Sequence, residues 1–513
     1  MKRTKPSDFL MLRKLLPLAL CFWGFGLFAQ FSLADVLTYN MVLQRDQPIH
    51  FWGKGMPKTQ IVAHFMGQEV VTRVNAEGQW SIFFPPQQAV LKPQSLRIRH
   101  NQGEQILQNI VIGDVWLCIG QSNMEWPLEK EDYYLSEIKN TKQSLLRFYN
   151  PDYAGKGVYN APFNESLRKR LTPTDFFQGR WQESHSETAK RMSAVGYYFG
   201  SSLLESEKIP IGLVNMAIGG APIETFMSTE ILKTHPSFGA KVQSPWLDND
   251  ALAVWIRTRG KQNVGGIADV PGDSLGPNHA FKPGFANAAG IAKILPMPIK
   301  GVTWYQGESN AQEIERVMEY GDLQQLMVKE LRSQWANAEL PFYWVQLSSI
   351  DTLKYQSRFW PEFRNQQRLL LSKITHGGMA VSSDVGAKND VHPTDKKTVG
   401  QRLARWALNQ TYGRPIVPSG PLVKSAIFDG SKVVVDFEFD TGLQGGNGQN
   451  IRGFSLDGKN EILCTLVNNR IWIPCRNNPE YVYYAWRPFS EANLVNGEGL
   501  PASTFKIKVV DSR

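Results

Sequence analysis

Cysteine is scarce in this 513-residue chain: four residues, at positions 21, 118, 464 and 475, none spaced with histidine as zinc ligands are. Basic runs are missing too. Of the formal charge of +9, +4 comes from Lys2, Arg3, Lys5, Arg13 and Lys14 against Asp8. The remainder is spread thinly, which gives nucleic-acid binding no support. Beyond the N-terminus no apolar stretch is long enough to span a bilayer. Internal repeats and low-complexity tracts are absent, which argues against a solenoid or a disordered scaffold. What is present is ordinary globular composition, 42% hydrophobic and 20% charged, in a chain too long for one core; two to four domains are expected.

Residues 1–34 read as a secretory signal. A basic start precedes the apolar stretch Leu15 to Phe28, and Ser32-Leu33-Ala34 offers a small-x-small cleavage site, with a cut after Ala29 as the alternative. Cys21, preceded by Leu20, fits a lipoprotein site poorly; an uncleaved anchor is the competing reading. Cleavage leaves a mature protein without a membrane span, periplasmic or extracellular. In an oxidising compartment Cys464 and Cys475, which flank the probable turn "TLVNNRIWIP", could form a hairpin disulfide, and two unpaired thiols are the equal alternative. Cys118 reads as a buried small residue.

Residues 35–110 carry short alternating segments ("PIHFWGKG", "QIVAHFM", "EVVTRV", "QWSIFF", "SLRIRH") separated by turn chemistry, the pattern of a small β-sandwich. From 111 to 415 apolar runs ("VIGDVWLCIG", "IGLVNMAIGG", "IKGVTWYQGE", "LPFYWVQLSS", "GMAVSSD") alternate with helical stretches. The fold class expected is therefore α/β: a doubly wound, mainly parallel sheet whose reactive residues collect beyond the carboxyl ends of its strands. The segment 240–280 is irregular and glycine-rich, and a long loop near the site is expected there. From 416 to 513 the β pattern returns as a C-terminal β domain.

Three of the strand ends carry polar residues suited to chemistry. "CIGQSNMEWPL" puts Ser122 on a strand-to-helix turn, where a serine oxygen is exposed and its own N–H faces substrate. A plain turn explains the tripeptide equally well. A nucleophile also requires a base, and His392 in "AKNDVHPTDKK" lies in a strand-to-helix loop beside Asp390, its backbone fixed by Pro393; a solvent-exposed loop histidine is the bland alternative. "TWYQGESN" ends a strand with Gln306, Glu308, Ser309 and Asn310, polar groups that are costly to bury unless bonded to one another or to a ligand. Gly219 and Gly220 end another strand, where an N–H could meet an oxyanion or simply form a tight turn.

These four segments, "CIGQSNMEWPL", "IGGAPIETF", "WYQGESNA" and "DVHPTDKKTVGQRLA", resemble the blocks of the sialate O-acetylesterases within the SGNH-type hydrolases. "NMVLQRDQPIHFWGKG", "FKPGFANAAGI" and "YAWRPFSEANLVNGEGLPASTF" resemble family segments as well, so the likeness spans nearly the whole mature chain. It implies an SGNH-type catalytic domain flanked by β domains, with Ser122 as nucleophile and His392 as general base. It implies oxyanion donors from the Ser122 N–H, a Gly219 or Gly220 N–H, and the amide of Asn310 or Gln306, each worth on the order of 3 kcal/mol. Asn389 stands where many of these enzymes have the acid, so Asp390, Glu308 and a dyad held by a backbone carbonyl all stay open. The implied reaction needs no metal or organic cofactor. The implied partner is an O-acetylated sialic acid, whose carboxylate an arginine could clamp: Arg364, Arg257 or Arg259, with Gln121 and Asn123 as further substrate contacts. Esterase action on a plant polysaccharide such as acetylxylan is the same-class alternative, and a secreted, non-catalytic carbohydrate-binding protein is the different-class one.

Overall fold

The protein was analysed as a computed structural model that describes residues 30–351 and 355–512. The signal reading falls mostly outside these: residues 1–29 are not among the described residues, although the segment just after them is. There Ser32–Leu33 pairs antiparallel with Gly53–Lys54, and the Phe31 ring stacks 3.9 Å from that of His100. No helix among the described residues is long and apolar enough to cross a membrane.

The central sheet is built on one long strand, Gly103–Gly120, whose second half is an unbroken buried run because strands cover it on both edges and helices pack on the sheet. On one side it pairs parallel with Ile211–Asn215, then Gln143–Tyr149, with Trp181–Ser184 antiparallel at the edge. On the other side Gly301–Tyr305, Phe342–Gln346 and Gly377–Val381 follow, all parallel. The chain thus places strands on both sides of its first one, stepping outward on the Gly301–Tyr305 side and returning to the inner position with Ile211–Asn215 on the other, the doubly wound topology that opens a crevice at the switch point. The five strands expected here are all present. The sequence pattern missed the outer pair, Gln143–Tyr149 and Trp181–Ser184, because both mix polar residues into short runs.

The helices follow local chemistry. Ser193 caps Ala194–Glu207 by accepting from the Gly196 N–H at 2.9 Å, and Asp395 caps Lys396–Trp406 by accepting from the Thr398 N–H at 3.0 Å. Gly400 lets these two helices meet closely: a Cβ there would lie 2.6 Å from the Val195 carbonyl oxygen. The segment 240–280 departs from the expected long loop. It contains the eleven-residue helix Val254–Val264, hidden from a periodicity reading by its interleaved arginines and threonine.

The N-terminal β region forms two facing layers, with the rings of Phe51, Phe65 and Phe84 in edge contact between them. Its strand Val90–His100 pairs with the first half of Gly103–Gly120, so residue 110 lies inside a strand that both regions share. Their buried residues form one cluster, whereas 426–509 build a second core around Phe428, Val435, Phe454 and Phe505. In that region the hairpin register pairs Thr465 with Trp472. Continuing it sets Cys464 opposite Ile473, two residues short of Cys475, and both cysteines are free thiols. The anticipated disulfide is therefore not formed.

Arg364 is also placed otherwise than expected. It is fully buried on the helix Trp360–Leu369 and donates to the carbonyls of Ala485 (3.2 Å) and Arg487 and to Ser349 Oγ (3.1 Å). It joins the sheet region to the C-terminal β region and has no access to substrate. Replacing it removes donors from buried carbonyls: Arg364→Met should lower unfolding free energy by about 2–4 kcal/mol. Chemical denaturation of variant and parent measures this, and an unchanged midpoint would refute the assignment.

Candidate active site

Ser122 opens the four-residue helix Ser122–Glu125 directly after the long strand. The turn between them needs Gly120, whose φ is +139° and whose Cβ position would fall 2.1 Å from the Tyr305 carbonyl oxygen. Close passage of two strand ends delivers the serine. Gln121 completes the junction: its N–H donates to Tyr305 O at 2.9 Å, and its Oε1 accepts from the N–H groups of Gly307 (3.3 Å) and Ser309 (3.2 Å).

His392 meets the serine from the loop before Lys396–Trp406, with Nε2 2.8 Å from Ser122 Oγ. Its ring stacks on Trp126 at 5.2 Å. Asp390 Oδ1 accepts from the His392 backbone N–H at 2.8 Å and lies 3.6 Å from Nδ1. Glu308 stands elsewhere. It is buried, and its Oε1 accepts from Asn123 Nδ2, while Oε2 has no hydrogen-bond partner among the described residues. Of the two carboxylates expected as orienters, Asp390 is thus the one beside the imidazole, and Glu308 reaches the site through Asn123.

Asn123 is the hub. The same Nδ2 donates to the Val391 carbonyl at 2.9 Å, and Oδ1 accepts from Lys396 Nζ. With Asn123 wholly buried and Gln121 nearly so, neither is a substrate contact; both hold the serine turn against the other two blocks. Lys396 was not anticipated. A lysine in the first turn of a helix opposes the macrodipole, and that misfit was the readable signal. Burial pulls its ammonium down to about 7, with Glu308 opposing the shift; burial pushes Glu308 up. Burial likewise lowers His392, Lys396 lowers it further, and Asp390 raises it.

The oxyanion donors separate cleanly. Gln306 Nε2 donates to Ala221 O (3.3 Å) and Asn310 Oδ1 (2.7 Å), and Asn310 Nδ2 to Glu224 Oε2 (3.1 Å). Both amides lie in the core at 0% exposure, so the expected amide donor is not available; these residues brace the strand ends instead. The Gly219 N–H donates to Tyr153 OH at 3.1 Å. The N–H groups of Ser122 and Gly220 have no acceptor among the described residues, and Ile218 N–H to Gly120 O at 3.0 Å brings their turns side by side. The assembly offers a hydroxyl, an adjacent imidazole and two backbone donors, the set that acyl transfer requires.

Comparison with known proteins agrees with this chemistry. The family profile described as carbohydrate esterase, sialic acid-specific acetylesterase, matches residues 285–409. The chain is 28% identical over 487 residues to the sialate O-acetylesterase of Homo sapiens, covering 87% of this chain and 83% of that protein. It is 27% identical over 495 residues to that of Mus musculus, covering 87% and 85%. Over most of its length the chain is similar to sialate O-acetylesterases. Among solved structures, a carbohydrate acetylesterase from Xanthomonas citri superposes with a TM-score of 0.75 at 28% identity, covering 93% of this chain and 99% of that one. The chain is accordingly an ester hydrolase, and the matched profile contains the Glu308 block and His392.

A histidine that accepts the serine proton must be neutral, so its pKa sets the acid limb of kcat/KM. Removing the Lys396 charge relieves a lowering influence, so Lys396→Met should move that limb to higher pH. Asp390→Asn removes a raising influence and should move it to lower pH. Profiles of aryl acetate hydrolysis measure both; shifts of the same sign would contradict this electrostatic picture.

Proposed function

We propose that the protein is a serine esterase that removes O-acetyl groups from sialic acids. The 2.8 Å contact between His392 Nε2 and Ser122 Oγ carries this reading. His392 takes the hydroxyl proton as Ser122 attacks the acetyl carbonyl, and the N–H groups of Ser122 and Gly220 receive the negative charge that develops on oxygen. The protonated imidazole then hands its proton to the departing sugar oxygen. Water, deprotonated by the same imidazole, releases acetate from the acetyl-enzyme. Asp390 steadies the imidazolium from the Nδ1 side, while Glu308 and Lys396 act through Asn123 to fix the distance between serine and histidine.

The substrate assignment rests on the relatives: the curated proteins that match over most of their length are named sialate O-acetylesterases. The Xanthomonas citri protein is described only as a carbohydrate acetylesterase, which keeps an acetylated plant polysaccharide as the second reading. We further infer that the β regions 35–110 and 416–513 flank and brace the catalytic layer. The chain is exported by its N-terminal segment to the periplasm or cell exterior, and the cut after Ala29 is favoured because Phe31, Ser32 and Leu33 are built into the β region.

Acetate release from O-acetylated N-acetylneuraminate and from acetylated xylan tests the reading. The parent should prefer the sialate, and Ser122→Ala should lose about 10⁴-fold or more in kcat; equal acetate release by variant and parent would remove Ser122 from the mechanism. Asp390→Asn should lose activity at an unchanged melting temperature, since Asp390 is exposed. Glu308→Gln should lose both together, since Glu308 is buried. If Glu308→Gln lost only activity and Asp390→Asn nothing, the orienting carboxylate would be Glu308.

A further inference from the structure

Beside the esterase centre, the helix Val254–Val264 carries hydrogen-bond donors with nothing to donate to. Arg259 is 8% exposed, and its Nε and Nη1 are sealed from solvent without a partner. The indole Nε1 of Trp255, one helical turn earlier, is also sealed and unpartnered. The guanidinium is held between two rings, 4.7 Å from the centroid of Trp255 and 5.4 Å from that of Tyr159. Arg257 on the same helix shows the ordinary alternative: it pairs with Asp250 at 2.7 Å. Arg259 has no ion pair among the described residues, and a buried cation left without an anion is strongly destabilising. A fixed guanidinium fork with free N–H groups matches a carboxylate in shape and charge.

Position gives this cradle a purpose. A Cβ on Gly220 would lie 3.5 Å from Trp255 Cζ2, and one on Gly219 would lie 3.3 Å from the Tyr159 hydroxyl. The cradle therefore borders the glycine turn that donates to the reacting carbonyl. The other charged group on this wall, Glu125, is neutralised by Lys156 at 3.2 Å and bonded to Tyr153 OH. His279, buried nearby, is pulled down to about 3 by burial and by Arg259 itself, so it stays neutral and leaves Arg259 as the uncompensated charge. Tyr159 is 56% exposed, so its ring can yield to an arriving ligand and open the guanidinium to it.

We propose that Arg259 and Trp255 form the subsite that binds the carboxylate of the acidic sugar whose acetyl ester is presented to Ser122. This assignment rests on the function proposed above and adds the group that selects sialate over neutral acetylated sugars.

The test compares an O-acetylated N-acetylneuraminate with the methyl ester of its C1 carboxylate, which differ in one charge. The parent should favour the free acid at least tenfold in kcat/KM. Arg259→Gln should bring that ratio close to one, and Trp255→Phe, which keeps the ring stack but deletes the N–H, should reduce it two- to fivefold. A variant that is merely poorly folded scales both substrates equally and leaves the ratio intact. A parent without preference for the acid, or an Arg259→Gln protein that keeps the parent's preference, overturns the subsite. A parent that deacetylates xylan but neither sialate compound overturns the substrate reading instead.

Discussion

The buried amide of Asn123 is the constraint on which the site depends. From one side chain it holds the Val391 carbonyl, one residue before the base, and the Glu308 carboxylate on a neighbouring strand end. Its oxygen accepts from Lys396 at the start of the helix that follows the base. Serine and histidine are 270 residues apart in sequence, and their 2.8 Å separation would otherwise be set only by loops. Buried polar groups are kept where they are fully bonded and specify one arrangement. Glu308 and Lys396 are the buried ionisable groups of this network, and Asn123 lies between them, donating to one oxygen of the carboxyl and accepting from the amine.

The sheet makes this convergence possible. Three adjacent strand ends at the switch point contribute the turns Gly120–Ser122, Ile218–Gly220 and Gln306–Asn310, and the loop after Gly377–Val381, beyond one intervening strand, reaches back to meet them. The first turn is forced by glycine, because the Tyr305 carbonyl occupies the space of any side chain at 120. The core amides of Gln306 and Asn310, with Glu224 and Tyr320, lock the third turn from beneath. The Ser122 oxygen is therefore presented by a tightly bonded frame, whereas the neighbouring wall carries exposed residues such as Tyr159.

Much of this was legible in the sequence. The alternation of apolar runs and helical stretches gave the parallel sheet, and the polar clusters at strand ends gave Ser122, His392 and the 306–310 block. The direction in which each polar side chain points was not legible. Asn310 and Gln306 sit in a block that reads as catalytic, yet their amides turn inward, which spacing cannot reveal. Arg364 and Arg259 read alike in the sequence, each as a candidate clamp for a carboxylate. Packing alone decides that Arg364 meets the carbonyls of Ala485 and Arg487 while Arg259 meets none. Cys464 and Cys475 looked pairable until the hairpin register set them two residues out of step.

The central claim is that Ser122 becomes acylated because His392 takes its proton. Covalent labelling by a serine-directed fluorophosphonate, read by intact mass and peptide mapping, tests this without assuming a substrate. The account predicts a single adduct, on the peptide containing Ser122, formed far more slowly in His392→Ala. An adduct on another residue, or equal labelling rates with and without the imidazole, would contradict it.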